Sequence, residues 1–148
     1  MTLWRISNHT TLTGDGGLRA SARWHTRGRR IVYCAMHPAA ALLEALAHLE
    51  LALDDLPAAY RLLKIDAPGN LAVTKVSLDN LPSDWIVRTN ATREIGDRWL
   101  EAAQTPLLLV PSALVPETFN MLLNPEHEHA GRITVVSTSR HVIDPRLL

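Results

Sequence analysis

The sequence contains a single cysteine, Cys34, among its 148 residues. One cysteine excludes an internal disulfide and is typical of proteins in a reducing compartment. The chain also lacks a net charge, because 15 Lys and Arg residues balance 15 Asp and Glu residues. Proteins that bind nucleic acid or membranes over a whole surface are normally strongly basic. No apolar run approaches the ~20 residues of a membrane span, and the N-terminus shows no signal-peptide pattern. We therefore expect a cytoplasmic protein that binds neither nucleic acid nor membranes directly.

The length and composition predict one domain that covers residues 1–148. A hydrophobic content of 47% supports a core that needs no structural metal. Hydrophobic periodicity predicts short strands separated by turns, with two helices, at about 38–53 and 90–104. The predicted strands lie at about 3–6, 29–34, 60–65, 71–78, 107–110, 117–125 and 131–139. This pattern predicts a mixed α/β fold with a mostly antiparallel sheet and few helices.

Two local predictions follow from the same periodicity. The strands Tyr60–Ile65 and Leu71–Leu78 flank a Pro-Gly-Asn turn, so we expect them to pair as an antiparallel unit. The helix from Pro38 to about Leu53 is apolar nearly all round. A helix of that composition is expected to be buried on more than one side.

Glu44 is the only acidic residue in the middle of this apolar helix. It shares a helix face with Ala40, Ala41, Ala47 and His48, so small side chains leave room for a ligand to approach it. A carboxylate in apolar surroundings is costly unless it is paired or hydrogen-bonded. A structural ion pair with an arginine, or a pair with His48, therefore remains an alternative to a functional role.

Five arginines precede this helix within twelve residues, and guanidinium groups match phosphate oxygens. The alternative to a phosphate site is a solvated turn without a binding role, which we expect for most of Arg27, Arg29 and Arg30. Arg23 stands out because Trp24 follows it directly. Tyr33, in the next strand, is placed to stack on a flat ring.

Other motifs do not support a common chemistry. Gly14–Gly17 lacks the third glycine and the helix of a dinucleotide motif. Glu126–His129 lacks the spacing of a helical zinc site, so we expect no metal. Ser112 follows an apolar strand but lies outside a G-x-S-x-G setting. Cys34 has apolar neighbours that disfavour a reactive thiolate.

The chain resembles the RES domain family, the toxins of Res–Xre toxin–antitoxin pairs. The resemblance runs nearly end to end, and the order and spacing of the matching segments are more specific than any one of them. The segments are L-W-R-I (3–6), G-D-G-G-L-R (14–19), R-W-H-x-x-G (23–28), I-V-Y (31–33), A-L-L-E-A-L-A-H-L (41–49), G-D-R-W-L (96–100), L-L-V-P-S-A-L-V-P (108–116), N-M-L-L-N-P-E-H (120–127) and I-D-P-R-L (143–147). One departure is Ser21-Ala22, where the family usually has Gly-Gly.

The resemblance implies an ADP-ribosyltransferase-like fold and NAD⁺ as the substrate. The Arg, Glu and Ser of the family name match Arg23, Glu44 and Ser112, which it assigns to catalysis. The resemblance also implies a toxin that arrests growth by degrading NAD⁺ and an Xre-type helix-turn-helix antitoxin as its partner. It is compatible with a homodimer. Further ligand-binding candidates are Arg5, Trp24, His25, Tyr33 and Asn120.

One carboxylate is sufficient for this chemistry. The nicotinamide of NAD⁺ is a cationic leaving group that departs neutral, so the acid of the usual glycosidase pair is dispensable. A fixed carboxylate can stabilise the oxocarbenium-like ribose that remains. We expect Glu44 to do so, Arg23 to hold a phosphate or the ribose, Tyr33 to stack on nicotinamide, and Ser112 and Asn120 to fix the ligand. The molecule that accepts the ADP-ribose can be water, phosphate or a protein. The alternatives to an NAD⁺-degrading toxin are a protein ADP-ribosyltransferase, a ribonuclease-type toxin and a non-catalytic binding module.

Overall fold

The computed structural model of the chain describes residues 1–48 and 58–147. In these residues, seven strands form one sheet in the order β4-β5-β6-β2-β1-β3-β7. Every strand pair is antiparallel except β4 with β5. The strands are β1 (Thr2–Ile6), β2 (Val32–Ala35), β3 (Ala59–Asp66), β4 (Val73–Lys75), β5 (Leu107–Pro111), β6 (Phe119–Leu123) and β7 (Thr134–Val142). The helices are α1 (Gly16–Arg19), α2 (Pro38–Ala47) and α3 (Thr89–Ala102), and short 3-10 turns lie at Leu78–Asn80, Ala130–Arg132 and Pro145–Leu147.

The core has two parts because successive side chains of a strand point to opposite faces of the sheet. Leu107, Met121 and Leu123 belong to one apolar cluster, with Leu3 and Ile65. The intervening side chains form the second cluster, which packs against α3 and the segment before β2. This second cluster contains Leu108, Val110, Leu122, Ile31, Val76, Trp24, Trp85 and Trp99.

The predicted pairing of the fourth and third strands is wrong. β3 pairs with β1 and β7, whereas β4 pairs in parallel with β5. β4 is only three residues long and all three are exposed, so it cannot offer β3 a long apolar partner. β7, nine residues long, supplies that partner from the far end of the chain.

The predicted burial of α2 on more than one side is also wrong for the residues described. Only Ala41 of α2 is buried, and Leu43 is 45% exposed. The apolar composition of this helix instead reflects alanine, which is the best helix former and needs no burial. The helix begins as predicted at Pro38, and the ring nitrogen of His37 accepts a hydrogen bond from the backbone of Ala39 at 3.1 Å. The predicted continuation to Leu53 lies outside the described residues.

None of the helices in residues 1–48 and 58–147 is long and apolar enough to cross a membrane.

Candidate active site

A cavity of about 300 Å³ lies between one face of α2 and strands β1, β2 and β6. The helix contributes residues spaced three and four apart, which therefore share one face. They are Ala41, Glu44, Ala45 and His48, the last of which caps the C-terminus of the helix. The strands contribute Trp4, Arg5, Ile6, Tyr33, Cys34, Ala35 and Asn120, and Ala22 completes the wall. Most of this lining is apolar, as is typical of ligand cavities with a few placed polar groups.

Glu44 is held at the cavity by two neutral donors. Its Oε1 accepts a hydrogen bond from Ser112 Oγ at 2.7 Å and another from Asn120 Nδ2 at 2.9 Å. Its Oε2 accepts none from the residues that the structure describes, so it is available to a ligand. Glu44 lies in α2, Ser112 directly follows β5, and Asn120 lies in β6, which pairs with β5.

The ion-pair alternative for Glu44 is wrong within residues 1–48 and 58–147. No salt bridge involves Glu44 there. His48 contacts the backbone carbonyl of Glu44 through Nδ1 at 2.6 Å and not its carboxylate. The carboxylate is therefore positioned without being neutralised.

Ser112 is buried, and its hydroxyl makes three hydrogen bonds. Besides donating to Glu44, its Oγ accepts hydrogen bonds from the backbone N–H groups of Leu114 at 3.1 Å and Val115 at 3.3 Å. These bonds close the turn that follows β5. The geometry favours a positioning role for Ser112, because its Oγ donates to Glu44 and uses its acceptor capacity on the backbone of the turn.

Asn120 is half-buried in β6 and donates to Glu44 through its amide nitrogen. Its Oδ1 is buried and accepts no hydrogen bond from any part of the chain that the structure describes. Buried polar atoms are nearly always paired, so an orphan of this kind calls for an explanation. A hydroxyl or amide donor of a bound ligand, or a water molecule, would satisfy it.

Tyr33 lines the cavity, and its hydroxyl is bound by two residues that do not line it. The backbone N–H of Trp24 donates to this hydroxyl at 3.1 Å, and His25 Nδ1 lies 2.8 Å from it. Burial lowers the pKa of His25, which favours a neutral ring whose Nε2 donates to Gly17 O at 3.3 Å while Nδ1 accepts from the tyrosine. Burial also raises the pKa of Tyr33 above its ordinary value, so the phenol stays protonated.

Trp24 and His25 were expected at the cavity wall. In the described residues neither lines the cavity, since both are buried in the layer that supports Tyr33. Sequence reasoning missed this supporting role, although the adjacency of an aromatic residue and a histidine was a usable signal. Ala22, which occupies one position of the family's Gly-Gly, does line the cavity, so the departure from the family pattern falls at the site itself.

Arg5 and Arg23 are placed differently. Arg5 lines the cavity, and its Nη1 donates to the carbonyl of Tyr33 at 2.8 Å. Arg23 donates through Nη1 to Ile86 O at 2.8 Å, and its guanidinium lies 5.9 Å from the ring centre of Trp85. Burial lowers the pKa of Arg23 and the nearby negative charge of Glu44 opposes that shift, so the arginine lies within electrostatic reach of the carboxylate.

Comparison with known proteins identifies this architecture. The RES domain profile matches residues 2–144. The chain belongs to the RES domain family. It is 45% identical to "Toxin Res" of Pseudomonas putida, with 88% of each chain aligned. It is also 35% identical to "Prs ADP-ribosylating toxin" of a Sphingobium strain, over 98% of this chain and 95% of the relative.

The fold agrees with that of a solved structure. The toxin–antitoxin complex MbcT–MbcA of M. tuberculosis contains a chain that superposes with a TM-score of 0.77, over 95% of this chain and 84% of that one. The identity is 22%, so this likeness concerns the fold alone. The predicted fold class, a mixed α/β domain of the ADP-ribosyltransferase-like type with a mostly antiparallel sheet, is confirmed.

Proposed function

We propose that this RES-domain protein is the toxin of a toxin–antitoxin pair and that it cleaves the bond between nicotinamide and ribose in NAD⁺. The observation that carries the proposal is the placement of the Glu44 carboxylate at a mostly apolar cavity. Ser112 and Asn120 fix one of its oxygens, and it forms no ion pair with the described residues. A fixed negative charge in such a place favours a reaction that develops positive charge. The relatives named as toxins, one of them ADP-ribosylating, support the same class of reaction.

The residues fit the reactive half of NAD⁺. A cavity of about 300 Å³ lies at the lower end of the ~300–1,000 Å³ that is typical of ligand sites. Tyr33 offers a flat face to the nicotinamide, and the free oxygen of Glu44 faces the ribosyl cation. Asn120 Oδ1 gains a donor from the carboxamide or from a ribose hydroxyl. Arg5 holds a phosphate, and Arg23 supports the site electrostatically.

In the proposed step, the electron pair of the glycosidic bond leaves with the nicotinamide nitrogen, and nicotinamide departs neutral. The ribose C1′ becomes oxocarbenium-like and is stabilised by Glu44. An acceptor oxygen then bonds to C1′ and releases its proton to solvent when the acceptor is water. Nicotinamide release in the presence and absence of phosphate distinguishes hydrolysis from phosphorolysis.

A protein acceptor is the second candidate, because one relative is named as an ADP-ribosylating toxin. Incubation of the protein with labelled NAD⁺ and a cell extract separates the two: labelled protein supports the transferase, whereas free ADP-ribose supports hydrolysis. The ribonuclease alternative predicts RNA degradation in a parallel incubation without NAD⁺, and the binding-module alternative predicts NAD⁺ binding without nicotinamide release.

The decisive variant is Glu44→Gln. Glutamine keeps an oxygen that accepts from Ser112 and Asn120 but carries no charge. Loss of a well-placed transition-state stabiliser costs about 10²–10³-fold in rate, so nicotinamide release should fall by that factor while the unfolding transition is unchanged. Glu128→Gln, at a glutamate with 82% of its side chain exposed, is the matched control. Equal turnover by E44Q and the wild type would refute the assignment.

The proposal extends to the partner. We expect an Xre-type helix-turn-helix antitoxin that blocks NAD⁺ loss, and a cytoplasmic location for both proteins. Co-expression should restore growth that the toxin alone arrests, and E44Q should be harmless without the antitoxin. Light scattering of the purified toxin tells a homodimer from a monomer.

A further inference from the structure

A second cavity adjoins the first at Arg5. It encloses about 280 Å³ and is lined by Arg5, His9, Thr13, Asp15, Arg19 and Val32, among others. Arg5 is the residue that both cavities share in the described chain. Arg5 is therefore placed to contact a ligand in either cavity.

The sheet is open at this junction. β1 and β2 pair only at Trp4 with Ala35, so the ladder does not continue between their next residues. Arg5 supplies the missing donor instead, because its Nη1 binds the carbonyl of Tyr33 at 2.8 Å. One of its five N–H groups is thereby used, which leaves the others for a ligand that crosses from one cavity to the other.

The second cavity carries positive charge. Arg19, the last residue of α1, is exposed and makes no ion pair or side-chain hydrogen bond with residues 1–48 or 58–147. The one acid in the wall, Asp15, is already paired with Arg30. Arg30 holds the pKa of Asp15 below its usual range, so this pair stays charged and compensated. Arg5 and Arg19 are the arginines of this wall, and neither forms a salt bridge with the described residues.

We propose that this second cavity binds the adenosine-diphosphate half of NAD⁺, with Arg5 on the phosphate nearer the nicotinamide ribose and Arg19 on the phosphate nearer adenosine. The assignment rests on the proposed function. It follows from size, since the two cavities are similar in volume and each accommodates about one nucleoside of a dinucleotide. It follows also from charge, since a pyrophosphate between the two nucleosides needs cations. Guanidinium forks suit phosphate oxygens.

Arg19→Ala tests the assignment against two substrates. Nicotinamide mononucleotide has the same scissile bond as NAD⁺ but lacks the second phosphate and the adenosine. A hydrogen bond to a charged group corresponds to roughly tenfold or more in affinity. R19A should therefore raise the KM for NAD⁺ about tenfold with little change in kcat, and leave the KM for the mononucleotide unchanged. Arg27→Ala, at an exposed arginine that lines neither cavity, should change neither KM.

An equal rise in KM for both substrates, or no rise for NAD⁺, would overturn the subsite. Calorimetric binding of ADP keeps this test separate from the proposed function: the wild type should bind ADP about tenfold more tightly than R19A. If the wild type binds ADP in this Arg19-dependent way but releases no nicotinamide from NAD⁺, the subsite stands and the proposed reaction fails. If ADP binds both proteins equally, or neither, the subsite fails whatever the turnover.

Discussion

Replacing Ser112 by alanine tests whether this residue acts on the ligand or on Glu44. The structure gives its Oγ one charged partner, Glu44 Oε1, at 2.7 Å. A hydrogen bond to a charged group contributes about 1.5–3 kcal/mol, and about 1.4 kcal/mol corresponds to a factor of ten. Because Asn120 still holds the same oxygen at 2.9 Å, we expect S112A to lower nicotinamide release by roughly 10–100-fold and not to abolish it.

The double variant S112A/E44Q distinguishes the two roles. If Ser112 works only by positioning the carboxylate, its loss should have little further effect once the charge is gone, so the double variant should resemble E44Q alone. Residues that act as a unit behave in this non-additive way. Multiplying effects would refute the reasoning and support the sequence-based expectation that Ser112 binds the ligand directly.

Stability needs a control here, because Ser112 also accepts from the backbone of Leu114 and Val115. Urea unfolding of S112A should show a moderate loss, on the order of 1–3 kcal/mol, from the weakened turn and the broken bond to Glu44. Ser137→Ala, at an exposed serine of β7 whose side chain makes no hydrogen bond with the described residues, should change neither stability nor turnover. A variant that is unfolded at the assay temperature would be assayed at lower temperature, with the folded fraction measured.

Two further predictions concern the framework. In α3, a Cβ on Gly96 would lie 1.6 Å from the backbone oxygen of Trp24. Gly96→Ala should therefore lower the free energy of unfolding, measured in urea, by at least ~1–3 kcal/mol, although alanine has the better helix propensity. Gly131→Ala should have little effect, because the space around its Cβ is open. Burial raises the pKa of Cys34 to about 12, so its alkylation should be slow up to pH ~10 in the native protein and fast above pH ~8.5 in urea. Because the folded pKa is the higher one, this thiol stabilises the fold below pH ~8.5 and loses that contribution as the pH rises towards the folded pKa. Rapid alkylation of the native protein at pH 8 would contradict the buried placement of Cys34.

The sequence predicted those elements whose pattern is local. The continuous apolar run from Leu107 to Val110 predicts a strand buried on both faces, and β5 is one. Pro38 predicts the start of α2 because its missing N–H is harmless in the first turn. The partner of β3 could not be predicted in the same way, since β7 begins about seventy residues further along the chain and no local signal relates the two.

The candidate site was only partly predictable, and the reason lies in Glu44. Its burial cost argued for a compensating partner, and the arginines nearby in sequence were the obvious ones. The partners in the structure are neutral and lie 68 and 76 residues away, so the family resemblance and not the spacing indicated them. This difference has a chemical consequence. A paired arginine would cancel the charge that a ribosyl cation needs, whereas two neutral donors fix one oxygen and leave the charge in place. Arg23 is close enough to interact with the charge of Glu44, yet its guanidinium donates to Ile86 O and lies over the ring of Trp85. Within the described residues it therefore forms no salt bridge with the carboxylate that the site needs in its charged form.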